Sequence, residues 1–269
     1  MRRRALPAGA AVAALAAVIA APHAAAATAD GTAAARAAGW LAANAAGAPA
    51  GQQADAIVAL RAAGRSRAAL RPRAAALATA APAYATTAGG AAKVAMAAVA
   101  AGRNPAAFGG VNYLRRITNR YAAGRYGASA WDQALSLLAL RAAGRPAPAA
   151  AVRAALAARG SGGWSFDLTP RGRDSVDATA IVLEALSASG VRGSDARLAA
   201  AVRWMLAQRN GEGGLGSAGR WPPASLRASL RALQERDGSV RYTRASGGSR
   251  LLATNDATVA FTGRWLPVR

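Results

Sequence analysis

Acidic residues gather at one point of the chain, around the start of an amphipathic helix. Asp174 and Asp177 lie at this start, and Glu184 follows Asp177 by seven residues, about 20° away around a helix of 3.6 residues per turn. Burial or a neighbouring carboxylate raises the pKa of an acid, and an acid that keeps its proton can protonate an alkene. Asp177 is therefore the candidate catalytic residue, with Asp174 and Glu184 near it.

A structural role for Asp177 is the alternative. The free N–H groups and the dipole of a helix N-terminus favour an ionised carboxylate. Asp177 could therefore cap the helix, or it could act as a hydrogen-bond acceptor that lines the centre of a ring of helices. Asp55, Asp132 and Asp256 are each predicted to begin other helices, which supports capping.

Aromatic residues near these acids suggest a binding pocket. Trp131, Trp164 and Phe166 could stack on a hydrophobic or ring-shaped ligand, with Asp132 and Asp177 supplying polar contacts. The alternative is that the aromatic side chains fill the core. A cyclase that stabilises carbocations needs a dense aromatic lining, and three Phe, five Tyr and six Trp are few for that purpose.

The composition excludes several kinds of chemistry. The chain has no cysteine, and its one histidine, His23, lies in a segment predicted to be removed. Thiolate zinc sites, Ser-His-Asp triads and Cys-His mechanisms are therefore excluded from the mature protein, and we expect no metal. Residues 208–214, QRNGEGG, lack the G-K-[ST] of a phosphate-binding loop.

The first 27 residues have the pattern of a signal peptide. Arg2, Arg3 and Arg4 precede an apolar run over 8–21, and alanines at 24–27 suit cleavage. We expect a secreted, envelope or periplasmic protein with one domain over 28–269, acting as a monomer. Its net charge is +22, or +19 without the three leader arginines. This favours an anionic cell-envelope surface as partner over nucleic acid, because the chain is exported; a merely solvated basic surface is the alternative.

The helical elements repeat at a period of about 40 residues. A stripe of apolar residues predicts a helix over Val176–Ser189 that ends at Gly190, and a second helix follows from Asp195. The helix-ending glycines Gly64, Gly102, Gly144 and Gly190 are spaced by 38, 42 and 46 residues. Such a period, with two helices per unit, is typical of helical-repeat proteins. Further helices are predicted over 28–46, 55–64, 91–102, 111–121 and 255–262, with a break at Arg71-Pro72-Arg73.

Two motifs resemble one superfamily. The pattern W-x-L-x-Q-x-x-x-x-G-G-L over Trp204–Leu215 resembles the QW-type repeat of squalene-hopene cyclases, and Ser175–Ala180, SVDATA, resembles the D-x-D-D-T-A segment of class II terpene cyclases. The S-V-D run is also similar to the cobalamin-binding intrinsic factor and transcobalamin proteins. The resemblance to this terpenoid cyclase/protein prenyltransferase superfamily implies an all-α fold, a single α/α toroid of about six helical hairpins, some irregular.

The departures from the family pattern decide the expected function. Asp177 matches the middle, proton-donating acid of the cyclases, but Ser175 and Ala178 replace the flanking acids, and the chain has room for one toroid rather than two. Between Trp221 and Asp237 a hairpin is compressed, so the ring could be incomplete. We expect an exported, non-catalytic toroid that binds a small hydrophobic or cofactor-like ligand, a cobalamin-like one included, or an envelope interaction module. The alternative is a reduced class II cyclase or isomerase that uses Asp177.

Overall fold

The protein is almost entirely helical. The computed structural model describes residues 29–208, 225–243, 248–264 and 266–268, so the predicted signal peptide and most of the Gly-rich segment after Trp204 lie outside the described residues. Helix accounts for 61% and strand for 5% of the described residues, which confirms the all-α class. The helices are α1 (29–44), α2 (Ala50–Ala62), α3 (Arg67–Tyr84), α4 (Ala88–Ala100), α5 (Tyr113–Thr118), α6 (Ala130–Ala142), α7 (Ala149–Ala157), α8 (Val176–Ala188), α9 (Ala196–Ala207), α10 (Ser225–Ala232) and α11 (Arg250–Thr262).

Local sequence explains where most helices begin and end. A polar side chain accepts a hydrogen bond from the first turn of α3, α4, α5, α6, α8, α9 and α11, and the capping residues are Ser66, Thr87, Asn112, Ser129, Ser175, Asp195 and Ser249. Five helices are followed by a glycine with positive φ, which closes the last turn without a Cβ clash: Gly64, Gly102, Gly144, Gly190 and Gly263.

Five helices form a packed series in the order α11, α2, α4, α6, α8. Contacts between equivalent positions show that neighbours run parallel. A Cβ at Gly102, which closes α4, would touch the Arg67 side chain at the start of α3, just after α2 ends, so α4 and α2 end on the same side. Lys93 and Asp55, each in the middle of its helix, form an ion pair between α4 and α2. Near the helix starts, the Gly89 N–H of α4 donates to the Asp132 carboxylate of α6 at 2.8 Å. Near the ends, the Arg141 guanidinium of α6 donates to the Ala188 carbonyl of α8 at 2.8 Å.

The fifth helix, α11, joins the series beside α2 with the same direction. The Asn255 amide, at the sixth residue of α11, donates to the Gln52 carbonyl, at the third residue of α2, at 3.4 Å. All five N-termini therefore lie at one end of the series and all five C-termini at the other. This common direction decides which side chains share a surface.

The two ends of the described chain pack on each other. The nearly buried Asp30 of α1 pairs with Arg227 and Arg231 of α10, and the Gln234 amide donates to the Ala33 carbonyl at 2.9 Å. A small apolar cluster joins Ala33 and Ala34 to Val240, Ala257 and Phe261. The contacts of α1 with α10 and α11 thus link residues about 200 positions apart in sequence.

Several boundaries differ from the sequence-based predictions. Asp55 and Asp256 lie in the middle of α2 and α11 rather than at helix starts, because Pro49 and Ser249 precede earlier first turns. The predicted break at Pro72 is wrong, because α3 continues through it. Proline has no N–H to donate to the carbonyl one turn earlier, but Pro72 is exposed, so that carbonyl lies close to solvent. A two-stranded antiparallel hairpin, β1 (Trp164–Ser165) and β2 (Asp174–Ser175), leads into α8 and was not predicted.

None of the helices in the described part of the chain is long and apolar enough to cross a membrane.

Candidate ligand site

Charged side chains from four of the five packed helices share one electrostatic environment. Asp55 of α2 and Lys93 of α4 form an ion pair, and the charges of both, together with those of Asp177 and Glu184 of α8, act on Asp256 of α11. Three other acids and the single lysine of a chain of net charge +22 are thus near enough to act on Asp256.

The Asp55–Lys93 pair is the most tightly joined part of this group. The two charged atoms are 2.6 Å apart, and the two side chains are 22% and 25% exposed. Burial raises the pKa of Asp55, with Lys93 opposing that shift. Burial would lower the pKa of Lys93, but the charge of Asp55 and its hydrogen bond, together with the charge of Asp256, outweigh burial and raise the pKa. Lys93 is therefore held as a cation, which makes it a poor nucleophile and excludes a Schiff-base role at neutral pH.

Tyr84 completes this corner of the site. A Cβ at Gly51 would lie 2.7 Å from the Tyr84 hydroxyl oxygen, so glycine at the start of α2 makes room for the phenol. Burial raises the pKa of Tyr84, and the negative charge of Asp55 adds to the effect while Lys93 opposes it. Tyr84 therefore stays a neutral hydrogen-bond donor beside the ion pair.

Asp256 combines solvent access with a strongly perturbed acidity. Its side chain is exposed, yet protein surrounds it closely enough for desolvation to dominate, so it lines a concave surface. Desolvation, then the negative charges of Asp55, Asp177 and Glu184, raise the pKa of Asp256 to about 7, against the opposing charge of Lys93. Near neutral pH the carboxyl is therefore divided between its protonated and ionised forms.

Glu184 is held by the last described residues of the chain. Its carboxylate accepts a hydrogen bond from the Leu266 N–H at 2.8 Å, and burial raises its pKa, with this hydrogen bond opposing the shift. Leu266 packs on the main core, and Val268 is itself buried in it. The segment after α11 thus lies against α8 within the packed series.

Asp177 is the second residue of α8 and is exposed. The capping bond is made by Ser175, whose hydroxyl accepts from the Ala178 N–H at 3.3 Å. Asp177 does not provide that cap, and it contributes its charge to the group around Asp256. The structure therefore brings Asp177 and Glu184 together with residues that the sequence reasoning had not connected to them.

Asp174 lies in β2, and its carboxylate instead binds the turn before β1. Its carboxylate accepts hydrogen bonds from the Gly162 N–H at 2.8 Å and the Ser161 hydroxyl at 3.2 Å. A Cβ at Gly162 would overlap the Trp204 indole ring, so the glycine pair is required by a close approach of α9. Asp174 thus fixes the hairpin that precedes α8.

Trp164 lies in the core between α7 and α8. It is fully buried, its indole N–H donates to the Ala155 carbonyl at 2.7 Å, and its backbone N–H donates to the Thr179 hydroxyl at 2.8 Å. These contacts fill the space between two helices and leave none of its ring facing solvent.

Trp131 and Phe166 form an aromatic pair at the start of α6. Their ring centroids are 5.4 Å apart, Phe166 is 63% exposed, and the Phe166 carbonyl accepts from the Ala130 N–H at 2.8 Å. The neighbouring Asp132 is occupied, since it accepts from the Ser129 hydroxyl at 2.8 Å as well as from Gly89 of α4. The pair offers an accessible aromatic surface, while Asp132 ties α4 to α6.

A cavity of about 240 Å³ lies between α10 and α11, with Asp256 on its wall. The other lining residues are Arg241 and a mainly apolar set: Leu230, Leu233, Val240, Tyr242, Ala253, Ala257 and Ala260. An apolar chamber that opens beside a carboxyl suits a ligand with an apolar body and one polar end. Within the described ranges, no cluster of His, Cys, Asp and Glu side chains is close enough to hold a metal ion.

Asp55, Lys93, Tyr84 and Asp256 are the site residues that sequence reasoning missed. A signal for one of them was present, since Lys93 is the only lysine beside 33 arginines. Asp55 and Asp256 were interpreted as caps because each precedes an apolar helical stripe, and their mid-helix positions follow from the true helix starts.

No protein family, curated protein or solved structure was found that matches the chain.

Proposed function

We propose that this protein is an exported, non-catalytic α/α toroid that binds a small, largely hydrophobic ligand in its centre. The observation that carries the proposal is the concentration of charge at Asp256, which lines a cavity and on which Asp55, Lys93, Asp177 and Glu184 act from three other helices. Gathering like charges costs free energy, and Asp55 and Asp256 lie beyond the first helical turn, where the helix dipole no longer offsets that cost. Such a cost is typical of a binding or catalytic site.

The packing of the chain ends supports the ring. In the proposed toroid α11, α2, α4, α6 and α8 are the inner wall, and the remaining helices lie outside. Contacts of α11 with α2, and of Leu266 with Glu184 of α8, join the two ends of the series. The pairing of Asp30 with Arg227 and Arg231 joins the outer helices in the same region.

The lining indicates the kind of ligand. The cavity beside Asp256, which lies between α11 of the inner wall and α10 outside it, would take an apolar body, and the acidic group would bind a cationic or hydrogen-bond-donating end that reaches towards the centre. The exposed Trp131–Phe166 pair could stack on an aromatic or macrocyclic part of the ligand. The proposal therefore includes a cofactor-like ligand. An ammonium group should bind more tightly above pH 7, where Asp256 is ionised.

Two ligands matched in length test the site directly. Dodecylamine and dodecanol share an alkyl chain but differ in charge, and each is titrated into the mature protein while tryptophan fluorescence and melting temperature are followed. We expect the amine to bind more tightly, and Asp256→Asn to remove the difference. Asp167→Asn, at an exposed acid outside the group, is the matched control. Equal binding of both compounds by wild type would contradict the proposal, and mass spectrometry of co-purifying small molecules would identify the natural ligand.

Acid catalysis is the second candidate, because a carboxyl with a pKa of about 7 keeps a proton at neutral pH. This observation favours Asp256 as the catalytic acid, whereas the family resemblance indicates Asp177. The test is incubation with squalene and shorter polyprenols, followed by analysis for cyclised products. Suppose that wild type forms cyclised product and that Asp256→Asn or Asp177→Asn does not, at unchanged melting temperature. This result would show an enzymatic function instead of a binding function.

Export remains part of the proposal and rests on the basic and apolar pattern of residues 1–27. N-terminal sequencing of the secreted or envelope fraction should show a start after one of the alanines at 24–27. An intact Met1 in the cytoplasmic fraction would contradict export.

A further inference from the structure

Each helix of the packed series is followed by the same pair of residue types. Arg65, Arg103, Arg145 and Arg264 come directly after a helix-closing glycine of positive φ, and Arg192 comes two residues after Gly190. We call these five residues the arginine rim. Because the five helices run parallel, their C-termini lie at one end of the molecule, and so does the rim.

The rim side chains are not needed to close the helices. The backbone N–H groups of Arg65, Arg103 and Arg145 donate to the Leu60, Ala98 and Leu140 carbonyls, which completes each last turn. All five side chains are exposed, and among the described residues no ion pair or side-chain hydrogen bond engages their guanidinium groups. The rim is therefore available to an anionic partner.

Charge is separated between the two ends of the series. The acids Asp55, Asp177 and Asp256 lie in the N-terminal or middle part of their helices, away from the rim. Asp195, described close to the rim in sequence, is neutralised by Arg197, whose guanidinium nitrogens lie 2.7 Å and 3.0 Å from its carboxylate oxygens. Asp195 therefore leaves little uncompensated negative charge beside the rim.

We propose that the arginine rim docks the protein on a flat anionic surface, a bilayer that carries acidic phospholipids. In the proposed toroid, on which this inference rests, five helix ends at one level lie around a ring and can all reach a plane at once, whereas a linear polyanion would cross two or three of them. Guanidinium groups suit lipid phosphates because they can donate two parallel hydrogen bonds. Docking in this orientation would leave the N-terminal ends of the packed helices, and the acidic group, facing away from the membrane. The proposal does not depend on the ligand site.

The experiment is sedimentation of the mature protein with vesicles of phosphatidylcholine, with and without one third of phosphatidylglycerol. The rim variant replaces all five rim arginines by glutamine. The control variant has the same net charge and replaces exposed arginines that follow none of the packed helices: Arg115, Arg171, Arg173, Arg203 and Arg236. Circular dichroism confirms that both variants are folded.

We expect wild type to bind the anionic vesicles at low salt, and the rim variant to lose about fivefold per arginine, or about three-thousandfold in total if the five contributions add. The control variant should lose far less, and salt beyond about 0.15 M should weaken the binding of wild type. Equal losses in both variants, retention in molar salt, or binding to polyphosphate but not to vesicles would each overturn the proposal.

Discussion

The ammonium of Lys93 lies 2.6 Å from the carboxylate of Asp55, at equivalent positions of the parallel helices α4 and α2. This pair places the chain's single lysine between two acids, Asp55 and Asp256, whose charges both act on it. Arginine carries nearly all the other positive charge, but its planar fork is larger and more rigid than an ammonium. A compact cation at this point balances part of the negative charge while leaving space beside Asp256.

Removal of the Lys93 charge should destabilise the protein at neutral pH. Lys93→Met leaves Asp55 half-buried without its partner, which we expect to lower the free energy of unfolding by about 1–3 kcal/mol, less than for a fully buried pair. The loss should shrink as pH falls and the acids become protonated. Urea unfolding at pH 5 and pH 8 measures it, and Lys93→Met with Asp55→Asn completes a double-mutant cycle. A zero coupling energy would show that the pair contributes nothing.

The stability of the protein should rise as pH falls from about 8 towards 5. The folded-state pKa of Asp256 is about 7, above the ordinary value of 3.8 for an aspartate, so the folded state binds the proton more tightly. Its contribution is fully present below the unfolded-state pKa and is lost as pH rises through about 7. The raised pKa values of Asp55 and Glu184 act in the same direction.

Asp256→Asn should flatten this pH profile, because the amide does not ionise. Melting temperature is followed from pH 5 to pH 8 for wild type, Asp256→Asn and the control Asp167→Asn. If the melting temperature of Asp256→Asn changes with pH as steeply as that of wild type, a group other than Asp256 causes the pH dependence.

Capping of α8 should depend on Ser175 rather than on Asp177. Ser175→Ala removes the acceptor for the Ala178 N–H and should cost about 0.5–2 kcal/mol. Asp177→Asn keeps a polar side chain at an exposed position and should change stability little. Thermal unfolding of the two variants tests this prediction. A larger loss of stability in Asp177→Asn than in Ser175→Ala would show that Asp177 is the capping residue.

Glycine should be required where α9 approaches the β1–β2 hairpin. A Cβ at Gly163 would overlap the Thr179 hydroxyl and touch the Trp204 ring, so Gly163→Ala should lower the melting temperature by several degrees. Gly193→Ala is the matched control, since no atom lies near its added Cβ and its backbone is unstrained. Comparable losses in both variants would mean that the close approach is not what requires glycine.

Local signals in the sequence determined much of the secondary structure. The apolar stripe and closing glycine predicted α8 over Val176–Ser189, and the helix spans Val176–Ala188. Asp195 was predicted to begin the next helix, and it caps α9. Period and turn residues were sufficient here because caps and closing glycines act within a few residues of the chain. The same local reasoning failed at Pro72, where the length and packing of α3 outweigh one missing hydrogen bond.

Only the tertiary structure decided which charges meet. Asp55, Lys93 and Asp256 are separated by 38 and 163 residues, and nothing in their local patterns connects them. Their meeting follows from the parallel packing of α11, α2 and α4, which aligns equivalent turns of helices far apart in sequence. The same alignment collects five arginines at the opposite end. The sequence by itself supplied the helices and their ends, whereas the acidic group and the arginine rim exist only because the helices share one direction.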